Sequence, residues 1–187
     1  MILSIVGYGD PVLTTKASVI NKDYPGLQEL ITNMWETMYN AEGVGLAAPQ
    51  VGESLRLFII DAEPFADDDP GVAGLKKVFI NPLILEKSGD DVLFNEGCLS
   101  FPGVREDIYR KPNIKIKYLD ENFNEHEESY SGIAARIIQH EYDHIEGVVM
   151  VNRISPLKKR LIKNKLNNII KGKVSINYKM KFAAQKK

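Results

Sequence analysis

The sequence lacks the cysteine pairs whose disulfide bonds stabilise secreted proteins, and it lacks an apolar run long enough to anchor a membrane protein. Its 187 residues include a single cysteine, Cys98, so no disulfide bond can form within the chain, as is usual in a reducing compartment. No apolar run approaches the ~18 residues of a membrane-spanning helix. The first ten residues lack a basic segment and include Asp10, unlike a signal or transit peptide. We therefore expect a cytoplasmic protein without membrane contact.

The motifs that bind nucleotide phosphates are also missing. Residues 43–50, Gly-Val-Gly-Leu-Ala-Ala-Pro-Gln, are small and glycine-rich but lack the final Lys-Ser/Thr of a phosphate-binding loop. No Gly-x-Gly-x-x-Gly is present either. On spacing alone, this segment is interpreted as a tightly packed turn.

Charge is unevenly distributed along the chain. The formal net charge is −1, but residues 147–187 carry twelve Lys and Arg and no Asp or Glu, which leaves −13 for residues 1–146. We expect no DNA partner for a chain that is acidic over most of its length.

Apolar spacing predicts one domain over residues 1–187 with both helices and strands. Periods of three to four residues predict helices at 25–43, 131–147 and 156–172. Short apolar runs or alternation predict strands at 55–61, 77–81, 114–119, 127–130, 148–151 and 174–182. The strands at 114–119 and 127–130 flank a turn, which predicts an antiparallel hairpin. The basic region is the last helix and its tail, about 155–187.

The stretch from Gln139 to His144 carries the strongest chemical signal. On a helix, His140 and His144 share one face, where two imidazoles can bind one metal ion. Glu141 lies beside that ion, and a carboxylate that is not a ligand can accept a proton from water on the metal, as hydrolysis requires. The third and last histidine, His126, is predicted to be exposed. The alternative interpretation is a pair of hydrogen-bonded core histidines.

The third metal ligand does not follow this motif in the chain. The long zinc-protease signature needs a histidine where the chain has Met150. No Asp, Glu, His or Cys follows Glu146, which points away from the two histidines, so the third ligand must lie upstream. Cys98 is the natural candidate, because a thiolate, two imidazoles and one water make a tetrahedral catalytic site. Two alternatives remain: another metallopeptidase, and a structural site closed by His126 or a carboxylate.

Three segments in this order resemble the bacterial peptide deformylase family: residues 43–50, 96–100 (Glu-Gly-Cys-Leu-Ser) and 139–147 (Gln-His-Glu-Tyr-Asp-His-Ile-Glu-Gly). With the lead-in Gly-Asp-Pro-Val-Leu at 9–13, the resemblance covers about residues 1–160. It implies an α+β fold with antiparallel β-sheets around a central metal-binding helix, plus an N-terminal and a C-terminal helix. It also implies removal of the formyl group from N-formyl-methionine at the N-terminus of nascent polypeptides.

The resemblance assigns roles to particular residues. The implied metal ligands are Cys98, His140 and His144. The implied catalytic groups are the Glu141 carboxylate for proton transfer, and the Gln50 side chain and Leu99 backbone N–H as oxyanion donors. The implied substrate contacts are Gly43, Val44, Gly45, Gly97, Arg105, Ile133 and Ile137. Behind them, the resemblance implies an ion pair that supports the cysteine loop, formed by Glu96 and Arg110.

A cofactor and partners also follow from the resemblance. The implied ion is Fe²⁺, one per chain, with Zn²⁺ or Ni²⁺ as substitutes, although the ligand types alone point to zinc. The implied substrate is the nascent N-formyl-Met chain. The basic C-terminal helix is interpreted either as a solvated face or as a surface that docks on ribosomal RNA through its phosphates.

Two positions depart from the family pattern. Ile145 stands where leucine is common, which is a conservative change in the core. Arg136 occupies a helix position that is often apolar in relatives. We expect Arg136 to make the rim of the pocket more polar or to be solvated.

Overall fold

The computed structural model describes residues 1–185, and the last two lysines of the predicted tail, Lys186 and Lys187, lie outside the described residues. The helices are α1 (Leu27–Asn40), α2 (Gly132–Ile145), α3 (Pro156–Leu161) and α4 (Lys163–Ile170). The strands are β1 (Ile5–Val6), β2 (Gly45–Ala47), β3 (Leu57–Asp61), β4 (Lys76–Ser88), β5 (Val92–Gly97), β6 (Arg105–Arg110), β7 (Asn113–Leu119), β8 (Glu125–Ser131) and β9 (Met180–Lys181). Among the described residues, no helix has the length and apolar content needed to cross a membrane.

The strands form three sheets. β2, β3, β4, β7 and β8 make a five-stranded antiparallel sheet in that order, β5 and β6 make a two-stranded antiparallel sheet, and β1 pairs with β9 in parallel. The predicted hairpin is present as β7 and β8, with Ile116 opposite Glu128. The predicted α+β fold with antiparallel sheets is therefore confirmed.

The central strand β3 explains how α2 is held. Successive side chains of a strand point to opposite faces of the sheet. Phe58 shares a buried cluster with Ile138 of α2, and Ile59 shares another with Met34 of α1. Both faces are covered by helices, so the run Leu-Phe-Ile-Ile has no polar side, and each buried side chain of this size stabilises the fold by about 1.5–3 kcal/mol. α2 is thus fixed against the sheet.

Two predictions for the C-terminal region are wrong in part. The segment 148–151 is not a strand: Met150–Asn152 form a 3₁₀ helix, and its apolar side chains are buried in a cluster with Val6 and Leu13. A short apolar run is buried equally well in either geometry, so periodicity cannot distinguish them. The strand predicted at 174–182 is reduced to β9, which pairs with β1.

The helix predicted at 156–172 is divided at Ile162. This residue (φ −92°, ψ 6°) ends α3 and precedes α4, and the bend lets Ile162 and Leu166 pack against the N-terminal segment. Leu157 and Leu161 belong to the apolar periodicity from which this helix was predicted, but they are 65% and 75% exposed. The bend therefore separates the apolar stripe into a buried half on α4 and an exposed half on α3.

Candidate metal centre

Two glycines set the ends of α2. Ser131 occupies the N-cap position of α2, but its side chain makes no capping hydrogen bond. The chain turns from β8 into α2 at Gly132, where φ is +57° and the N–H donates to the Pro112 carbonyl at 2.9 Å. After α2, Gly147 has φ +72°, and a Cβ there would lie 2.9 Å from the Thr14 carbonyl oxygen, so only glycine fits. These contacts fix the rotation of α2 and hence the face that its histidines occupy.

The side chains of Cys98, His140 and His144 fit one metal ion. Their donor atoms lie within 4.8 Å of one another, and Cys98 Sγ is 3.4 Å from His144 Nε2. Metal–sulfur and metal–nitrogen bonds of about 2.3 and 2.1 Å at a tetrahedral angle separate the two donor atoms by about 3.6 Å. The observed spacing therefore matches that of two ligands on the same ion.

No fourth side chain joins this group among residues 1–185. His126, the remaining histidine, lies on β8 with Nε2 2.8 Å from Asp120 Oδ2. A site with three protein ligands keeps a position open for water or substrate, whereas structural sites are closed by four. The arrangement therefore favours a catalytic over a structural metal.

The electrostatics favour a cation at this position. Although burial opposes it, the pKa of His140 is raised well above its ordinary value, because the ring is hydrogen-bonded to Cys98 and Glu96. The pKa of His144 is lowered to about 3 by burial and by the charge of His140, so this ring is neutral, which is the form that binds a metal. The Glu96 carboxylate and the Cys98 sulfur thus converge on rings that can share a positive ion.

The Glu96 carboxylate contacts the side chains of Arg110, Arg136 and His140. The carboxylate accepts hydrogen bonds from Arg110 at 2.7 and 3.0 Å and from Arg136 at 2.8 Å, and it lies 2.9 Å from His140 Nδ1. Contact through Nδ1 leaves the Nε2 of this histidine for the metal. Burial opposes ionisation of Glu96, but the hydrogen bonds from His140 and Arg110 prevail and lower its pKa far below the ordinary value. The predicted pair of Glu96 and Arg110 is present.

Of the two environments expected for Arg136, the solvated one is wrong. Arg136 is 7% exposed and lies in the wall of the site, which it makes more polar, in agreement with the other expectation. Besides Glu96, its guanidinium donates to the Ile108 carbonyl at 2.9 Å and lies 5.5 Å from the centre of the Phe94 ring. Arg136 and His140 are four residues apart on one face of α2, so both reach Glu96. That spacing was the available signal.

Glu141 stands beside the ligand group without joining it. The residue is 4% exposed, and its Oε2 has no hydrogen-bond partner among residues 1–185. Burial raises the pKa of Glu141 to about 7, against the opposing charges of His140 and Arg110. A buried carboxylate oxygen without a partner is costly and is rare in folded proteins outside sites of chemistry or ligand binding.

Residues 43–50 are not the turn that spacing alone indicated. They contain β2, an edge strand of the large sheet, and most of a 3₁₀ helix (Ala48–Val51) that carries Gln50. Gln50 is 1% exposed, and its Oε1 accepts the Ala47 N–H at 2.8 Å. This bond directs the amide nitrogen toward Cys98 Sγ, at 3.6 Å. The segment therefore places a hydrogen-bond donor beside the ligands.

The site opens into a cleft of about 490 Å³. All site residues predicted from the sequence line it except Arg110 and His144, which are buried next to it. Arg105 borders the cleft, where its guanidinium donates to Asn95 Oδ1 at 2.9 Å. The sequence did not indicate the further lining residues, which include Phe65, Phe94, Phe101 and Tyr178.

Comparison with known proteins identifies the family. Residues 2–160 match the sequence model of the family described as polypeptide deformylase. The peptide deformylase of Christiangramia forsetii is 60% identical over 194 aligned positions, which cover 100% of this chain and 99% of that protein. A solved peptide deformylase from Legionella pneumophila has a TM-score of 0.80 at 36% identity, covering 92% of this chain and 98% of that one. The Thermotoga maritima structure has a TM-score of 0.74 at 42% identity, covering 83% and 99%. The chain therefore belongs to the polypeptide deformylase family, and it is a metal-dependent hydrolase that removes the N-formyl group from nascent polypeptides.

Proposed function

We propose that Cys98, His140 and His144 hold one Fe²⁺ ion, for which Zn²⁺ or Ni²⁺ can substitute, and that the cleft beside them takes the formylated end of a nascent chain in the cytoplasm. The observation that carries this proposal is the convergence of three ligand atoms with the unpaired carboxylate of Glu141 beside them. When bound, the ion supplies Lewis acidity, which polarises a carbonyl and lowers the pKa of water.

Glu141 transfers the proton in this proposal. Its carboxylate accepts a proton from water while the water oxygen bonds to the formyl carbon, and it then donates that proton to the amine nitrogen as the C–N bond breaks. Gln50 Nε2 and the Leu99 backbone N–H donate to the formyl oxygen, on which negative charge develops. The products are formate and a free amino terminus. The buried position of Gln50 Nε2 near Cys98 supports its assignment as a donor.

The shape of the cleft supports methionine as the first residue of the substrate. Apolar side chains form one wall for an unbranched side chain, and glycines before and at the start of β2 and at the end of β5 let a peptide backbone approach. These residues are Val44, Ile133, Ile137, Gly43, Gly45 and Gly97. Arg105 extends beside Gly97, where an added Cβ would lie 2.7 Å from its Nη1, and we assign it to the substrate peptide.

Formate release tests the proposal against its alternatives. Metal-replete protein is incubated with a formyl-Met peptide and with the same peptide unformylated, and formate and peptide fragments are measured separately. We expect formate from the first and no cleavage of either peptide chain. Cleavage of the unformylated peptide without formate would identify a metallopeptidase, and inactivity on both would leave a structural metal.

Replacing Cys98 with alanine is expected to remove the metal. Without the thiolate, the metal keeps only two imidazole ligands, and the negative charge that offsets the cation is gone. We expect elemental analysis to find about one ion per chain in the wild type and only traces in Cys98→Ala. Ser100→Ala changes a buried residue of the same loop and should keep the ion. Full metal content in Cys98→Ala would exclude this ligand.

Gly45→Ala is expected to displace the Glu141 carboxylate and lower kcat about tenfold or more, within the range attributed to acid–base catalysis. An added Cβ would lie 2.4 Å from Glu141 Oε1 and 2.8 Å from its Cδ. Gly45 is not in the left-handed region, so the backbone itself accepts alanine. Gly71→Ala, in an exposed 3₁₀ helix (Pro70–Val72), is the control. Metal content should stay constant, and a wild-type kcat in Gly45→Ala would contradict the position of the base.

Metal identity is tested by purification without oxygen. Ferrous iron beside a thiolate oxidises readily, so a preparation made in air favours zinc over the native ion. Elemental analysis of anaerobic protein should find iron, with kcat falling as air exposure replaces it. Zinc in protein that was never exposed to air would overturn the assignment of iron.

The basic helices α3 and α4 are proposed to dock on ribosomal RNA. Their cationic side chains are Lys158, Lys159, Arg160, Lys163 and Lys165. Each cation that contacts a phosphate adds to the salt dependence of binding. Replacing all five with glutamine should abolish co-sedimentation with ribosomes at low salt, whereas Lys115→Gln with Lys117→Gln, on β7, should not. Unchanged co-sedimentation of the five-fold variant would refute docking through this surface.

A further inference from the structure

The loop that carries Cys98 is held by hydrogen bonds to three successive carbonyls. The Cys98 carbonyl accepts the Phe101 N–H at 2.9 Å, the Leu99 carbonyl accepts the Tyr178 hydroxyl at 2.8 Å, and the Ser100 carbonyl accepts the Tyr8 N–H at 2.9 Å. The first bond is internal to the loop. The other two come from segments near opposite ends of the chain.

Those two segments are joined to each other. β1 and β9 pair in parallel, with the Ile5 N–H donating to the Lys179 carbonyl at 2.8 Å and the Gly7 N–H to the Lys181 carbonyl at 2.9 Å. Phe182 packs so closely that a Cβ on Gly7 would lie 3.1 Å from its ring. One loop contact comes two residues after β1 and the other two residues before β9, so the pairing fixes both. We call β1, β9 and these two tyrosines the terminal clasp.

Tyr178 is the only side chain of the terminal clasp that donates to the loop among the described hydrogen bonds. It is partly buried and lines the cleft. Burial and the nearby Cys98 raise its pKa to about 12, so the hydroxyl remains a donor at neutral pH. The family sequence match ends at residue 160, which leaves this contact outside the segment by which the family is recognised.

We propose that the terminal clasp positions the backbone of Leu99 for catalysis, with Tyr178 as the positioning residue. Holding the Leu99 carbonyl restricts rotation about the Cα–C bond of Leu99. The Leu99 N–H belongs to the preceding peptide, whose Cys98 carbonyl is held by the Phe101 N–H, so the two hydrogen bonds together fix the direction of the Leu99 N–H. The Leu99 side chain is held as well, since a Cβ on Gly43 would lie 2.8 Å from its Cδ1. The proposal rests on the assignment of the Leu99 N–H as an oxyanion donor.

Without the Tyr178 hydroxyl, the Leu99 carbonyl loses its hydrogen-bond partner, and the peptide between Leu99 and Ser100 can rotate. Loss of one oxyanion donor costs about 10²–10³ in kcat, so a donor that is retained but less well aimed should cost about tenfold. Binding of the substrate side chain does not depend on this N–H. KM should therefore change little, whereas a general loss of structure would change KM, metal content and stability together.

The test compares Tyr178→Phe with Tyr39→Phe in the full-length, metal-loaded protein. Tyr39 also loses a hydroxyl hydrogen bond, at 2.6 Å to Asp61, but on the exposed end of α1. For Tyr178→Phe we expect a kcat about tenfold lower, a KM within about twofold and unchanged metal content. Amide hydrogen exchange of residues 98–101 should be severalfold faster in this variant at the same melting temperature. Tyr39→Phe should match the wild type in each measurement.

An unchanged kcat or unchanged exchange in Tyr178→Phe would overturn the proposal. So would a parallel loss of metal or of melting temperature, because Tyr178 would then be a general structural residue. If the wild type itself released no formate, the assigned catalytic roles would fail, whereas the exchange of residues 98–101 would still report whether the clasp holds the loop. The two failures are therefore distinguishable.

Discussion

Glu141→Gln is expected to lower kcat by about 10³-fold while the metal stays bound. Glutamine keeps the shape of the side chain but cannot accept the proton from water or return it to the leaving amine. Glu141 is not among the three converging ligand atoms, so elemental analysis should find the same metal content as in the wild type. The melting temperature should not fall, because the change replaces a buried carboxylate that has an unpaired oxygen with a neutral amide.

The control for this prediction is Glu127→Gln. Glu127 is an exposed carboxylate on β8, paired with Lys115 at the surface, and exposed pairs of this kind contribute little to stability. Its kinetics should equal those of the wild type. Loss of metal from Glu141→Gln would show that Glu141 is a ligand, and retention of most of kcat would show that another group transfers the proton.

The part of the site that could be predicted from the sequence is the part encoded locally. The spacing of His140 and His144 places both rings on one face as soon as the segment is helical, and Glu141 follows from the same turn. Cys98, whose side chain converges with His140 and His144 in the structure, is the upstream residue that the lack of a downstream ligand predicted. Residue types and their absence after Glu146 were sufficient to propose it.

Contacts over long sequence separations could not be predicted in this way. Arg136 precedes its motif by four residues, but its partner Glu96 is 40 residues away on another element. A charged residue on a helix is by default solvated, and only the fold shows that β5 covers it. Tyr178 is 79 residues from Leu99, and alternation in its segment indicates a strand without indicating what the strand contacts.

The errors in secondary structure have a related cause. Apolar periodicity over 156–172 predicts one continuous helix, but the N-terminal segment offers a buried surface only to the second half. The chain bends at Ile162 to use that surface, which leaves Leu157 and Leu161 exposed. Packing overrides local preference where a distant segment sets the geometry. A sequence pattern carries no information about that segment.

Glu96→Ala is expected to lower the free energy of unfolding by about 3–5 kcal/mol, because removing one partner leaves buried charges uncompensated. Glu96 is 4% exposed, and the buried guanidinium groups of Arg110 and Arg136 converge on it. Loss of its contact to His140 should also weaken metal affinity about 10- to 100-fold. Urea unfolding of the metal-free protein measures the first effect, and chelator competition measures the second.

The pH dependence of this contribution follows from the lowered pKa of Glu96. Burial opposes the shift, but hydrogen bonds from His140 and Arg110 outweigh it. A carboxyl group whose pKa is lower when folded stabilises the fold fully above its unfolded pKa, and the contribution is lost as the pH falls below that value. The difference between the wild type and Glu96→Ala should therefore shrink as the pH falls below the ordinary pKa of a glutamate. A difference that grew in acid would contradict an ionised Glu96.

Arg136→Met removes the charge of Arg136 from the wall of the site but keeps most of its volume. Glu96 keeps Arg110 when Arg136 is removed, and methionine fills a similar volume, so the single change should cost less than Glu96→Ala. The double variant Glu96→Ala/Arg136→Met leaves fewer buried charges unpaired than Glu96→Ala does. Its loss of unfolding free energy should therefore be smaller than the sum of the two single losses by about 0.5–3 kcal/mol. Simple additivity would mean that Arg136 acts through the Ile108 and Val92 carbonyls that it also binds, and not through Glu96.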